Sequence, residues 1–393
     1  MERMDEPRSI VIVGGGLAAA HAVESLRDQE YAGRLTLVCR EPHAPYERPP
    51  LSKGYLAGKD DREAAFPHDP GWYRDNEVTL RLGTAATDLR LDDRVVVLDS
   101  GESLGYDRLL LSTGASPRTL QLPGIEKALT LRTIDDSERL KGAMTEGKRL
   151  AVIGGGWIGL EVAATAHQAG MEVVVLEAGG RPLGNLLGPV VADHVAAIHT
   201  KNGVELRTGV QVEEVVDGGV RTADGMVAAD LVLLAVGATP TSGLAEAAGL
   251  DVDNGITTDE RLQTSDPHVF AAGDVANAHN TALGQRLRVE HWDNAIRQGK
   301  LAGRTMLGLE GAYDWQPYFF TDQFDFSMEY VGRNAPDDEV VLRGDVDSGE
   351  YVAWWLRDGV VTAGMNVNVW DVNDRIRALV GTRVDPAGLT DLR

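Results

Sequence analysis

A chain of 393 residues is too long for one ordinary domain, and 43% apolar residues supply a sizeable core. Sixty acidic residues against 38 basic ones give a net charge of −22, which argues against nucleic acid and against an anionic membrane surface as partners. The single cysteine, Cys39, excludes an intrachain disulfide and fits a reducing, cytoplasmic compartment.

In chain order, residues 1–9 are charged and polar, and the apolar run 10–13 is short and ends in glycines. It reads as a strand, not as part of a signal peptide. No stretch is long enough to span a bilayer. Gly14-Gly-Gly16 follows, then an Ala-rich helical stretch at 17–27 and a β-branched strand at 35–38. The same order returns 140 residues later: a strand at 150–153, Gly154-Gly-Gly156, a helix at 157–169 and a strand at 172–176. Two copies of strand–turn–helix–strand are two βαβ units of parallel sheet.

The glycines point to chemistry. In Gly14-x-Gly16-x-x-Ala19 the first glycine permits a tight turn. The second lets the backbone approach a pyrophosphate, and the small third residue lets helix and strand pack closely. The helix N-terminus offers free N–H groups and a positive dipole end to phosphates. The second copy has the full Gly154-x-Gly156-x-x-Gly159. One such match is weak; two in matching contexts are not coincidence. Glu177 ends the second strand of the later copy, where a carboxylate accepts from a ribose 2′-OH and repels a 2′-phosphate. That favours NADH, with nearby Arg181 keeping NADPH open. The equivalent place in the first copy is Arg40-Glu41, and either residue can meet the ribose.

Ser116-Pro117 and Leu122-Pro-Gly124 punctuate the chain before the second unit, and 238–243 after it. A strand at 269–272 ending in Gly273-Asp274 returns the chain to the first domain. A helix is predicted at 293–307. Strands at 339–343, 351–356 and 360–365 and a helix at 372–379 give a small α+β domain.

Glu41-Pro-His-Ala-Pro-Tyr-Glu-Arg-Pro-Pro-Leu-Ser-Lys53 resembles the signature stretch of the oxygenase-coupled NADH:ferredoxin reductases, in the FAD-dependent pyridine nucleotide-disulfide oxidoreductase superfamily. The resemblance extends to Gly154-Gly-Gly-Trp-Ile-Gly-Leu-Glu161, Thr264-Ser-Asp-Pro-His-Val-Phe-Ala-Ala-Gly-Asp274, Glu290-His-Trp-Asp-Asn294 and Gly364-Met-Asn-Val-Asn-Val-Trp370. It implies an α/β fold of two Rossmann-like domains, glutathione reductase-like, with a small C-terminal α+β domain. The predicted bounds are 1–116 and 242–320 for FAD, 117–241 for NAD and 321–393 for the last domain.

The resemblance also implies residue roles. Arg48 and Lys53 lie against the flavin, and Glu161 pairs with Lys53. Ala86 and Arg132 match FAD-contacting positions, Asp274 the ribityl-binding aspartate, and Trp292 a backbone contact to the pyrimidine edge. Thr113-Gly114 matches a turn near the cofactor. Ala18, Ile158 and Gly237 complete the predicted contacts, and no metal site is predicted. Two departures stand out. Arg40 sits where the family often has an acid, and Phe320 where it usually has Trp near the nicotinamide.

Cysteine decides among reactions. Thiol-using relatives place cysteines beside the flavin, whereas Cys39 sits at a strand end on the adenosine side and reads as packing. What the resemblance then implies is hydride from NADH to FAD and single electrons to a [2Fe-2S] ferredoxin. Rubredoxin, quinone or oxygen reduction is the alternative, and a redox-sensing protein of the apoptosis-inducing-factor type a further one. An acidic ferredoxin needs a basic patch. Arg286, Arg288, Arg297, Lys300 and Arg304 form one candidate group, with docking expected near Arg297 and Lys300, and Arg375, Arg377 and Arg383 form another. Scattered solvated arginines are the plain alternative. Oligomeric state is not legible.

Overall fold

The computed structural model describes residues 7–392, so residues 1–6, part of the stretch that argues against a signal peptide, lie outside the described residues. The main chain visits two compact units in turn. The first holds the chain up to Glu47, then Arg62–Ser116 and Thr239–Pro317; the second holds Arg48–Asp61, Pro117–Ala238 and the chain from Tyr318 onward.

In the first unit, every residue of Ser9–Val13 is buried, the signature of a central parallel strand covered on both faces. It pairs in parallel with Arg34–Val38 and Arg108–Leu111. Val78–Arg81 and Val269–Ala271 complete a five-stranded parallel sheet. Helix Leu17–Asp28 lies against helix Trp292–Met306. Their close approach depends on Gly299, where a Cβ would stand 2.4 Å from the Ala18 carbonyl oxygen. A small antiparallel sheet, Ala86–Arg90, Val95–Leu98 and Ser103–Gly105, packs against the other face of the parallel sheet, on Val11, Val13, Leu109 and Leu111.

The second unit repeats the plan with four parallel strands, in the order Glu205–Thr208, Glu172–Glu177, Arg149–Ile153, Leu231–Leu234, and helix Trp157–Gln168. It also contains a five-stranded antiparallel sheet, in the order Tyr318–Gln323, Phe326–Gly332, Val360–Val367, Glu350–Arg357, Glu339–Asp345. Its first two strands were not read as strands from the sequence, and Tyr318–Gln323 is a single element across residues 320 and 321. Leu187, Val191 and Val195 of helix Gly184–Lys201 share a core with Met328, Trp355 and Met365 of this sheet. The fold is thus two Rossmann-like sheets and an antiparallel α+β domain, as the sequence predicts. Among the described residues no helix is long and apolar enough to cross a membrane.

Candidate functional site

In the first unit, four predicted segments follow the carboxyl ends of parallel strands: Gly14, Arg40-Glu41, Thr113-Gly114 and Gly273-Asp274. That edge is where open parallel sheets bind ligands. Gly14 has φ +125°, and a Cβ there would lie 2.1 Å from the Ser112 carbonyl oxygen, so the turn admits no side chain. Gly16 faces open space, and among the described residues nothing stands within 4 Å of where a Cβ would lie. It also caps helix Leu17–Asp28 without a side chain, leaving the first-turn N–H groups to meet an anion. This cradle fits a dinucleotide pyrophosphate. Ala18 and Ala19 are buried and serve close packing through their side chains.

Arg40 is exposed, whereas Glu41 is half-buried and accepts a hydrogen bond from the Tyr46 hydroxyl. Ala86 opens a strand and is half-buried. Thr113 Oγ1 donates to the Thr241 carbonyl at 2.7 Å, and Thr241 N–H donates to the Gly114 carbonyl at 2.9 Å, tying the turn to the returning chain. Gly273 N–H donates to Oε1 of the buried Gln298 at 2.8 Å, which fixes the turn before half-buried Asp274. Trp292 begins its helix after His291, which supplies no side-chain cap. Burial pushes the Glu47 carboxyl up, with the neighbouring Trp292 indole opposing.

The second unit presents the same edge. Gly154 has φ +107°, and Gly156 faces open space with the Ala235 carbonyl oxygen 4.0 Å from a built Cβ. Gly156, like Gly16, caps its helix without a side chain, so this turn also fits a pyrophosphate. Glu177 closes the neighbouring strand. Its Oε2 accepts from Gly155 N–H at 2.7 Å and its Oε1 from Gly179 N–H at 2.6 Å. Arg181 is committed to Asp193 at 2.5 Å. Ile158 is 44% exposed beside the turn. Gly237 is exposed, and its carbonyl accepts from Arg118 N–H at 2.9 Å.

Lys53 follows the 3-10 turn Pro49–Ser52, which Arg48 caps. Two hydroxyls pin that turn: Ser137 Oγ donates to the Leu51 carbonyl at 2.8 Å, and Thr165 Oγ1 to the Ser52 carbonyl at 2.9 Å. Lys53 Nζ then donates to Glu161 Oε1 at 2.5 Å, with Asp322 Oδ2 at 3.9 Å and the Phe320 ring centroid at 5.7 Å. Glu161, 5% exposed, also accepts from Ser52 Oγ at 2.5 Å and from the Thr321 hydroxyl. A buried ion pair is tolerable only when its remaining lone pairs are met, as here. Arg132 is half-buried, and its N–H donates to Asp136 Oδ2 at 3.1 Å, just before helix Ile134–Ala143. Ser52, Thr321 and Gln323 were not singled out from the sequence. The available signal was alternation, since Thr321 and Gln323 are buried polar residues two apart on one strand.

The expected basic groups are largely paired within the fold. Arg297 Nε donates to Asp293 at 3.0 Å, Lys300 stands 3.5 Å from Glu24, and Arg288 bonds Glu290. Arg304 donates to the Glu310 carbonyl at 3.1 Å and Arg286 to the Thr258 carbonyl. In the other group, Arg377 stands over the Tyr318 ring, while Arg375 and Arg383 donate to the Leu392 and Asp358 carbonyls. Cys39 is fully buried, and burial, with the Glu41 carboxylate adding, pushes its thiol up to about 12.

Two parallel sheets, each ending in a glycine turn over an open helix N-terminus, define a protein built to hold two dinucleotides. Residues 8–299 match the model of the pyridine nucleotide-disulphide oxidoreductase family, and residues 318–393 match that of the reductase C-terminal domain. The chain is 36% identical over 392 residues to the ferredoxin–NAD(+) reductase component of the anthranilate 1,2-dioxygenase system of Burkholderia cepacia, covering 97% of this chain and 96% of that one. It is 37% identical to putidaredoxin reductase of Pseudomonas putida, covering 93% and 90%. The solved covalent putidaredoxin reductase–putidaredoxin complex superposes with a TM-score of 0.93 at 35% identity, covering 98% of this chain and 95% of that one. The chain belongs to the pyridine nucleotide-disulphide oxidoreductase family and, within it, to the oxygenase-coupled ferredoxin reductases.

Proposed function

We propose that this protein is an NADH:ferredoxin reductase that carries electrons from NADH through FAD to a [2Fe-2S] ferredoxin feeding an oxygenase, a dioxygenase or a cytochrome P450. The observation that carries the reading is a Lys53–Glu161 pair whose carboxylate accepts from three side chains, in a chain whose only cysteine is buried with its thiol pushed up to about 12. The names of the relatives, the ferredoxin–NAD(+) reductase component of a dioxygenase system and putidaredoxin reductase, support it.

FAD supplies the redox chemistry when bound, accepting a hydride and releasing electrons one at a time. The chain's residues supply position and field. The Gly14 and Gly16 turn, with Ala18 and Ala19 behind it, takes the FAD pyrophosphate. Glu41, the half-buried member of Arg40-Glu41, takes the ribose. Ala86, Thr113, Gly114, Asp274 and Trp292 are further FAD contacts, as are Arg48, Lys53 and Arg132. Lys53 offers positive charge to a flavin that gains negative charge on reduction, and Glu161 holds the ammonium in place. Gly154, Gly156, Ile158, Gly159, Glu177 and Gly237 hold NADH, with Phe320 beside the nicotinamide. The proton left over when the two electrons of the hydride have gone to ferredoxin passes to solvent, and no side chain is assigned as its carrier. Residues 1–116 and 242–320 are then the FAD-binding domain, 117–241 the NAD-binding domain and 321–393 the C-terminal domain. Ferredoxin docks near Arg297 and Lys300. A cytoplasmic location agrees with the near-absence of cysteine.

Stopped-flow spectroscopy tests the proposal. NADH is expected to bleach the flavin rapidly and NADPH slowly, and cytochrome c reduction to require added [2Fe-2S] ferredoxin. Fast ferredoxin-independent turnover with oxygen or quinone would replace this reading with that of an oxidase or quinone reductase. Slow bleaching with a persistent charge-transfer band would indicate a redox sensor.

A further inference from the structure

The Lys53–Glu161 pair is the end of a longer row of hydrogen bonds within the second unit. Thr321 Oγ1, which bonds Glu161 Oε1, lies 3.1 Å from Gln323 Nε2, and Gln323 Oε1 lies 2.8 Å from His199 Nε2. Thr321, Gln323 and His199 are all buried. They come from strand Tyr318–Gln323 and helix Gly184–Lys201, and the row ends on helix Trp157–Gln168.

The direction of every bond follows from the carboxylate. Glu161 receives Lys53 and Ser52 as donors and acts as an acceptor. Thr321 has one hydroxyl proton, and the carboxylate takes it. The Thr321 oxygen must therefore accept from its other neighbour, which turns the Gln323 amide nitrogen toward Thr321 and its carbonyl toward His199. His199 must then carry its proton on Nε2. Its Nδ1 has no hydrogen-bond partner among the described residues, so a bare lone pair there avoids an unmet buried donor. Burial holds His199 below the usual imidazole range, outweighing the opposing pull of Gln323. The row is thus a one-way relay of neutral donors aimed at the anion that grips Lys53.

We propose that Thr321, Gln323 and His199 are positioning residues for Lys53: by fixing Glu161 and sharing its charge, they set how much of the Lys53 positive field reaches the flavin. The inference rests on Lys53 facing the flavin, as put forward under Proposed function. With Thr321 lost, Glu161 Oε1 keeps, among the described residues, only Lys53 as its side-chain donor. The carboxylate then neutralises the ammonium more fully, and reduced flavin is less favoured.

The test is the flavin midpoint potential of the holoprotein, titrated anaerobically without NADH or ferredoxin, beside the stopped-flow rate of reduction by NADH. Lys53→Met is expected to lower the potential. Thr321→Val and Gln323→Met should lower it by less and slow reduction about tenfold, within the range that small misplacements produce. Thr321→Ser should restore both, and the Thr321→Val/Gln323→Met double variant should fall no further than the worse single one, as coupled members of one row do. A potential that drops in Lys53→Met but stays at the wild-type value in Thr321→Val and Gln323→Met overturns the relay and leaves Lys53 in its role. A potential unmoved by Lys53→Met removes the flavin assignment of Lys53, and the relay's function with it. Nitrogen-15 NMR of the oxidised wild-type holoprotein needs no variant. It should find His199 neutral with its proton on Nε2, and a proton on Nδ1 overturns the row.

Discussion

Glu177 has both carboxylate oxygens in use before any nucleotide arrives, with the N–H groups of Gly155 and Gly179 at 2.7 and 2.6 Å. Those bonds freeze the side chain beside the Gly154 turn while leaving further lone pairs for ribose hydroxyls. A 2′-phosphate would meet a fixed negative charge, and Arg181, the nearby cation in sequence, is held by Asp193 at 2.5 Å. Glu177→Ala is therefore expected to lower kcat/KM for NADH by about 10- to 100-fold, the worth of ~1.5–3 kcal/mol for a hydrogen bond to a charged group. NADPH should lose much less, so the ratio of the two values, measured with a dye acceptor, should narrow. An unchanged ratio would remove Glu177 from coenzyme selection. Glu177 was singled out in the sequence by its distance from a glycine turn, and Glu161 only through the family resemblance. Thr321 and His199 were not, because their roles depend on neighbours that only the tertiary fold supplies; Thr321 and Glu161 are 160 positions apart. Nor was it legible that Arg40 is exposed and Glu41 half-buried, because both lie in a bend beyond strand Arg34–Val38, where no alternation applies.

The two glycine turns look like copies in the sequence, yet their third positions are not interchangeable. Ala19 packs fully buried in the first helix. In the second, a Cβ on Gly159 would stand 2.2 Å from the Gly154 carbonyl oxygen. Backbone must shift to admit it, so Gly159→Ala is expected to cost about 1–3 kcal/mol of stability, as overpacking does, and to weaken NADH binding. Ala19→Gly removes a methyl and loosens a helix, at about 1 kcal/mol. Urea unfolding of the two variants beside NADH titrations checks both, and equal NADH affinity in Gly159→Ala and wild type would refute the packing argument. The elements built on these turns were readable to within a residue or two because strand, glycine and helix signals agree there. Elsewhere signals conflict. Strand Tyr318–Gln323 buries Thr321 and Gln323, so hydrophobic alternation misses it. Helix Gly184–Lys201 is broken in sequence by Gly188-Pro189, and Gly188 indeed sits at φ +75° in a kink.

At the scale of the molecule, a net charge of −22 opposes any acidic partner, so docking depends on local fields. Arg297 and Lys300 remain 43% and 51% exposed on helix Trp292–Met306, but Asp293 and Glu24 already face them. Such pairs look nearly neutral beyond a Debye length of about 10 Å at 0.1 M salt, and they attract only at close range. Reversing both charges replaces each neutral pair with two negatives. The Arg297→Glu/Lys300→Glu variant is therefore expected to slow ferredoxin association about tenfold at low salt, since rim charges act chiefly on the rate of encounter. At 1 M salt, where the Debye length falls to about 3 Å, the difference should close. Flavin reduction by NADH should keep its wild-type rate at both salt concentrations, which separates a docking effect from damage to the fold. Association measured by stopped flow across a salt series decides the matter. A variant that binds ferredoxin at the wild-type rate in low salt would move the docking surface away from this helix.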